Sequence, residues 1–472
     1  MLLLDQLLEA LLNVNTIMLI ILAALLAVTP IAWKRERAAR LEDELPIFLS
    51  YVYARLEAGW SLRRALEAAA QEKQLLPTFH QEAGRILREA ERRGDLPEAL
   101  LSYKAPSKRV TSIMRSIGEE AFTGFDPATR VQVLLWDEEE YAAERARKKS
   151  ESAENLAEAS MMVMILIPLF VSFTAMFGGG LELVFPIAVL SSIATYIASV
   201  ALQGVPIIVL SPKAKRILPA QVAIMGATVL LALPFRSLQP VDPWIFLGLG
   251  AGLIALSIPA SYEVRKAIGE MEGGHLLAQG LATKLQLGYP MEKSFQLVRD
   301  GRVAEQIRRV AGGIETDPRS RQLQLVLSTI KVVKESGAGG RALEIVARTA
   351  QRLYHAYRDL RARLRFYEVI SMAAGPIILV MSYAITRPLK EFSARYAPPM
   401  AGGGVVQPAP FLFGNIALEG LGNALLPVSI VLALILGLAV SKLCDHTVAS
   451  TWRSGLGMIA ATLIYLALQP YW

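Results

Sequence analysis

Charge in this chain is gathered into two blocks, and that segregation constrains the fold more than any other feature. Of 49 Lys and Arg residues, 21 lie in residues 34–159 and 19 in residues 261–366; the 42 acidic residues place 23 and 11 in the same blocks. The stretches between are almost bare of charge. They are long enough to cross a bilayer, which takes about 20 mostly apolar residues as a helix. The whole chain is 53% hydrophobic and 19% charged, where an ordinary soluble domain carries about 25% charged residues. A single soluble globule is excluded.

Eight apolar segments are long enough to span: 14–33, 161–178, 187–210, 217–235, 244–262, 367–386, 424–441 and 455–472. Alternating them puts residues 34–159, 211–216, 263–366 and 442–454 on one side, with 45 of the 49 basic residues. Retention of Lys and Arg makes that side cytoplasmic. Arg236, Arg387, Lys390 and Arg395 remain outside, and both termini face outward. The third segment is interrupted by Gln203, Gly204 and Pro206, so it reads as a kinked span or as a span plus a re-entrant piece.

Residues 1–12, MLLLDQLLEALL, have the pattern of a helix lying in the interface. Asp5 and Glu9 stand where a secretory signal would be basic. The Gly/Pro-rich stretch near 387–423 reads as an irregular external loop. The expected organisation is an amphipathic start and first span (1–33), a first cytoplasmic helical domain (34–159) and a four-helix transmembrane region (160–262). A second cytoplasmic helical domain (263–366) and a C-terminal membrane region (367–472) follow.

Both charged blocks read as helical, and they share an opening. ARLEAGWSLRRAL at 54–66 aligns with TKLQLGYPMEKSF at 283–295, matching Arg55 with Lys284, Gly59 with Gly288 and Trp60 with Tyr289. Each reads as a helix closed by a left-handed glycine, followed by a helix begun by Ser61 or Pro290. Each block ends in a charged helix, 126–160 or 341–366, that runs into the next span. Pro168 and Pro376 lie inside those spans as candidate bend points. A duplicated unit, helical bundle plus membrane hairpin, is the simplest account: an all-α polytopic membrane protein with about eight transmembrane helices.

Little in the chain suggests chemistry. One cysteine, Cys444, and four scattered histidines argue against a disulfide framework or a metal centre. No phosphate-loop motif occurs; Gly337, Gly339 and Gly340 in ESGAGGRALEIVA lack its lysine and its preceding strand, and read as a turn before a packed helix. No catalytic residue, cofactor or nucleic-acid partner is expected. Asp445 and His446 read as a boundary salt bridge or solvated loop, and the run Asp137 to Glu140 reads as a solvated face. The arginines are more patterned. Arg85, Arg88 and Arg92 share a helix face, with Arg93 beside them. Arg302, Arg308, Arg309, Arg319 and Arg321 help give the second block a net charge of +8, against −2 for the first. These arginines are candidate docking residues for anionic lipid or an acidic protein surface.

The run LPIFLSYVYARLEAGWSLRRALEAAAQE, followed by a charged helix entering a membrane hairpin, resembles the type II secretion/type IV pilus F-domain family. The stretch from LLAQGLATKLQLGYPMEKSF to the glycine element SGAGGRALEIVA resembles it again, whereas the first block has EEAFTGFDPATRVQVLL in place of that element. Two such units with extra spans look most like the archaeal platform proteins of archaella and archaeal pili. The resemblance implies a non-enzymatic platform in the cell membrane. It would anchor a cytoplasmic hexameric secretion ATPase and couple its motion to insertion of pilin-like or archaellin subunits. A homodimer is compatible with it. The alternative reading is a transporter or channel component with regulatory cytoplasmic domains, its polar path near Ser191, Ser192 and Gln203.

Overall fold

The computed structural model describes residues 37–176, 193–199, 208–232, 242–297, 309, 318–337, 340–396 and 418–471. The proposed span at 14–33, most of 187–210 and most of the loop at 387–423 lie outside them. Among the described residues the chain is helical, with a single isolated bridge between Ile208 and Ser320.

Residues 37–57 form α1, followed by α2 (Leu62–Gln71), α3 (Phe79–Arg93), α4 (Leu96–Ser102), α5 (Lys108–Thr123) and α6 (Pro127–Met176). The α1–α2 turn forms because Gly59 adopts a left-handed φ of 81°. Its N–H then reaches the Leu56 carbonyl, and that of Trp60 reaches Arg55, each at 2.9 Å. These two bonds satisfy carbonyls that a helix end would otherwise leave unpaired. Ser61 accepts the N–H of Arg64 and starts α2.

The later part of the chain repeats this geometry. After α7 (Pro212–Ala232) comes α8 (Pro243–Gln286), which ends at Gly288 with a φ of 82°. The N–H of Gly288 reaches Leu285 and that of Tyr289 reaches Lys284, the same two bonds 229 positions on. Arg55 and Arg64 lie over the Trp60 ring, and Lys284 and Lys293 over Tyr289. α9 (Met291–Leu297), α10 (Arg321–Ser336) and α11 (Arg341–Tyr396) follow. Ser107 caps α5 and Ser320 caps α10, each accepting the N–H three residues on. Gly124 and Gly337 close those helices in the left-handed region.

Buried side chains of the two units run together into one core. Leu41, Phe48 and Val52 of α1, Leu135 of α6, Leu281 of α8, Leu327 of α10 and Val346 of α11 belong to the same cluster. A second cluster joins α7, α8 and α11 to α12 (Leu418–Cys444) and α13 (Trp452–Leu468). Among the described residues, four helices, over Ala214–Ala232, Pro243–Gln286, Arg341–Pro388 and Leu425–Cys444, are long and apolar enough to cross a membrane. Outward-facing Val222, Leu230, Ile258, Val369 and Leu463 leave this region an apolar exterior. α12 is the most enclosed of the four. Close approach uses small residues: a Cβ on Gly455 of α13 would lie 2.6 Å from the Gly250 carbonyl of α8.

Two boundaries differ from expectation. α11 continues through Pro388 to Tyr396, beyond the expected loop boundary at 387, with Arg387 donating to Glu391 at 3.2 Å one turn on. α13 has 17 residues and stops at Leu468, where a short 3₁₀ turn takes over.

Candidate functional site

The feature that links the charged units to the apolar region is the pair α6 and α11. With 50 and 56 residues, they are about 75 and 84 Å long at 1.5 Å per residue. They run parallel and in register. Arg341 donates to Gln132 at 3.2 Å, Thr349 donates to Glu139 at 2.5 Å and Arg363 donates to Glu154 at 3.3 Å. Further on, Ser160 and Tyr367 share a hydrogen bond at 3.2 Å. The partners stay 207 to 210 positions apart throughout. No helix break occurs along this length in either chain segment, so Pro127 stands about 50 Å from residue 161 along α6.

Buried acids tie the seam together. Glu139 accepts from Thr349, pairs with Arg352 at 2.8 Å, and Thr349 bonds Ser50 of α1 at 2.9 Å. Glu44 accepts the N–H groups of Thr78 and Phe79 at the start of α3 and faces Arg321 of α10 at 3.6 Å. Burial raises the carboxyl pKa values of Glu44, Glu138 and Glu139 above the usual range, against the pull of their donors and cations. Burial likewise lowers Arg321 to about 10, with Glu44 opposing. The expected solvated face at Asp137 to Glu140 is therefore corrected. Consecutive helix positions point in different directions, which sends Glu138 and Glu139 inward and leaves Asp137 and Glu140 exposed.

The arginines do not form one surface. Arg85, Arg88, Arg92 and Arg93 are exposed along α3; Arg85 pairs with Glu82, Arg92 with Glu89, and Arg93 with Glu89 and Glu98. Arg321 is corrected from docking residue to core residue: its side chain is 7% exposed and faces Glu44. Arg319 is half-buried, with its backbone N–H donating to Glu270 at 2.7 Å. Arg309 is exposed; Arg302, Arg308, Gly339, Ser191, Ser192 and Gln203 lie outside the described residues. Pro168 falls within α6 and Pro376 inside α11. Gly340 packs so closely on α8 that a Cβ would meet the Ala282 carbonyl at 2.6 Å.

Two features escaped the sequence reading. Phe122 and Phe125 flank Gly124 at the tip of the first unit, 68% and 67% exposed. Aromatic residues on both sides of a glycine turn were the available signal. At the other end of the seam, Arg453 is 1% exposed and bridges Glu368 of α11 at 2.6 Å and Asp445 at 2.5 Å. Asp445 is thus in a boundary salt bridge, buried rather than solvated. Its neighbour His446, at a φ of 52°, is lowered to about 4 by burial and is neutral at pH 7.

Residues 48–177 match the family model for Type II secretion system (T2SS), protein F. The matched stretch is similar to a T2SS F domain. It spans the first unit from within α1 and the whole of α6, so the long helix lies within the matched stretch. F-domain proteins of this family are membrane platform proteins, not enzymes. The second unit, α11 and the helices after it lie beyond the matched residues. No curated protein and no solved structure gave a significant match.

Proposed function

We propose that this chain is the membrane platform of a type IV filament, an archaellum or archaeal pilus, or of a related secretion machine. In this reading the second unit is a further F-type unit, and the chain crosses the cell membrane eight times. Both units face the cytoplasm, and both termini lie outside. They anchor a hexameric assembly ATPase and couple its motion to insertion of pilin-like subunits. One observation carries the reading: the matched stretch leads without a break, as α6, from its exposed tip into an apolar segment while bonded along its length to α11.

Repetition of the Gly59 and Gly288 turns, bond for bond, supports duplication. A core shared by two units supports a common side of the bilayer, because the chain must then cross an even number of times between them. Continuous helices are stiff, so displacement of a unit is carried to the membrane instead of being absorbed by a linker. The exposed arginines of α3 and the aromatic tip at Phe122 and Phe125 offer surfaces for the ATPase.

The test reverses charge at Arg85, Arg88 and Arg92 in one variant and at Arg302, Arg308 and Arg309 in another. Co-purification with the secretion ATPase and filament assembly are then measured. Loss of both in at least one variant that still folds is expected. Normal co-purification and assembly in both variants overturn the docking role.

A further inference from the structure

Between the two units, beside the seam, lies a cavity of ≈ 150 Å³. Its walls are α1, α6, α10, α11 and the turn after α12. Most of the lining is apolar: Ala142, Ala146 and Ala153 on one wall, Leu353 and Leu360 on the other, Leu443 at the end nearest the apolar helices. A cavity of that size takes a benzene-sized group, about six carbons.

The polar end is unusual. Gln322 is 1% exposed and lines the cavity, yet neither its amide oxygen nor its amide nitrogen has a hydrogen-bond partner. Next to it, the Nε and Nη1 of Arg321 are buried without a hydrogen bond, although the guanidinium faces Glu44 at 3.6 Å. Buried polar atoms normally find partners, and leaving one without costs about 1–3 kcal/mol. The lining acids are already engaged: Asp43 with Lys149 at 2.7 Å, Glu139 with Thr349 and Arg352. Arg145, Lys149 and Arg352 are paired in turn with Glu42, Asp43 and Glu139, so what favours an anion is the set of buried lining donors without a hydrogen bond, which includes Nε of Arg145, Nε and Nη1 of Arg321 and Nε2 of Gln322. Ala153 lies only about 12 Å along α6 from residue 161, where the apolar segment begins, so a molecule drawn from the bilayer edge can reach the opening.

We propose that this cavity binds an anionic amphiphile, its charged oxygens held by Arg321 and Gln322 and the first carbons of its chain lying against Ala142, Ala146 and Leu353. The shared chemistry is an acidic headgroup on an acyl chain, supplied by a phospholipid or by a free fatty acid. The site does not depend on the platform reading, and its test does not involve filament assembly.

The full chain, purified in a neutral detergent, is titrated with dodecyl phosphate while its thermal unfolding midpoint is followed. A saturable rise is expected, with none from inorganic phosphate or phosphatidylcholine. Phosphatidylglycerol and dodecanoate form the two arms that identify the source, and a rise with either supports the site. Ala146→Phe fills the apolar part and is expected to abolish the rise. Gln322→Leu removes the orphaned amide and is expected to weaken dodecyl phosphate about tenfold, the size of one hydrogen bond to a charged group. Should Ala146→Phe fail to fold, Gln322→Leu alone decides. No rise with any anionic amphiphile, or the same rise in the folded variants as in the parent, overturns the proposal.

Discussion

Replacing Arg453 with methionine tests the buried charge cluster at the membrane-facing end of the seam. The guanidinium is 1% exposed and contacts Glu368 through Nη2 at 2.6 Å and Asp445 through Nη1 at 2.5 Å. Methionine keeps much of the volume but leaves two like-charged carboxylates facing each other, with side chains 18% and 4% exposed. Breaking a buried pair by removing one partner costs about 3–5 kcal/mol, because the remaining charge keeps its desolvation penalty. Two carboxylates lose their cation here, which places the expected loss at the upper end of that range. The assay is denaturant unfolding in detergent micelles, followed by far-ultraviolet circular dichroism at pH 7. A second variant combines Arg453→Met with Asp445→Asn and Glu368→Gln. With no charge left to desolvate, it is expected to recover most of the stability. A loss below about 1 kcal/mol in the single variant, the value of an exposed pair, or a triple variant less stable than the single one, refutes the reasoning.

Glu139→Gln is expected to alter the pH dependence of stability. Burial holds its folded carboxyl above the ordinary 4.5, so ionisation costs the parent stability as pH rises from 4.5 through the folded value. Denaturant midpoints from pH 4 to 7.5 are expected to fall less steeply for the variant; a steeper fall contradicts the assignment. In a Cys444→Ala background, the double variants Gln132→Cys with Arg341→Cys and Glu154→Cys with Arg363→Cys are each expected to cross-link on mild oxidation. The crossed pair Gln132→Cys with Arg363→Cys is not, and its cross-linking contradicts the parallel register. Gly455→Leu forces α13 away from the Gly250 carbonyl and is expected to cost about 1–3 kcal/mol as overpacking does. An unchanged unfolding midpoint contradicts that close approach.

Much of the local structure was legible because its causes are local. A left-handed glycine followed by an aromatic residue and a helix starter specifies a turn, and Gly59 and Gly288 form it with the same bonds. The long helices were legible because helix-favouring residues run from 127 into the apolar segment without a breaker before Pro168. What the pattern left open is what covers an apolar face. Periodicity marks Phe48 and Val346 as inward-facing without showing that they share a core. The same limit explains Arg321, which reads as a free cation until Glu44, far away in sequence, packs against it. Glu138 and Glu139 repeat the lesson in an acidic run. Arg453 is isolated in sequence from Glu368, and only packing brings them together.

The claim on which the rest depends is that both charge-rich units lie on one face of the bilayer. It is tested most directly in sealed, oriented vesicles by labelling single cysteines with a membrane-impermeant maleimide. Arg92→Cys on α3 and Lys331→Cys on α10, both exposed positions, are placed in the Cys444→Ala background. Both are expected to react from the same face, and reaction from opposite faces contradicts the shared core and the platform built on it.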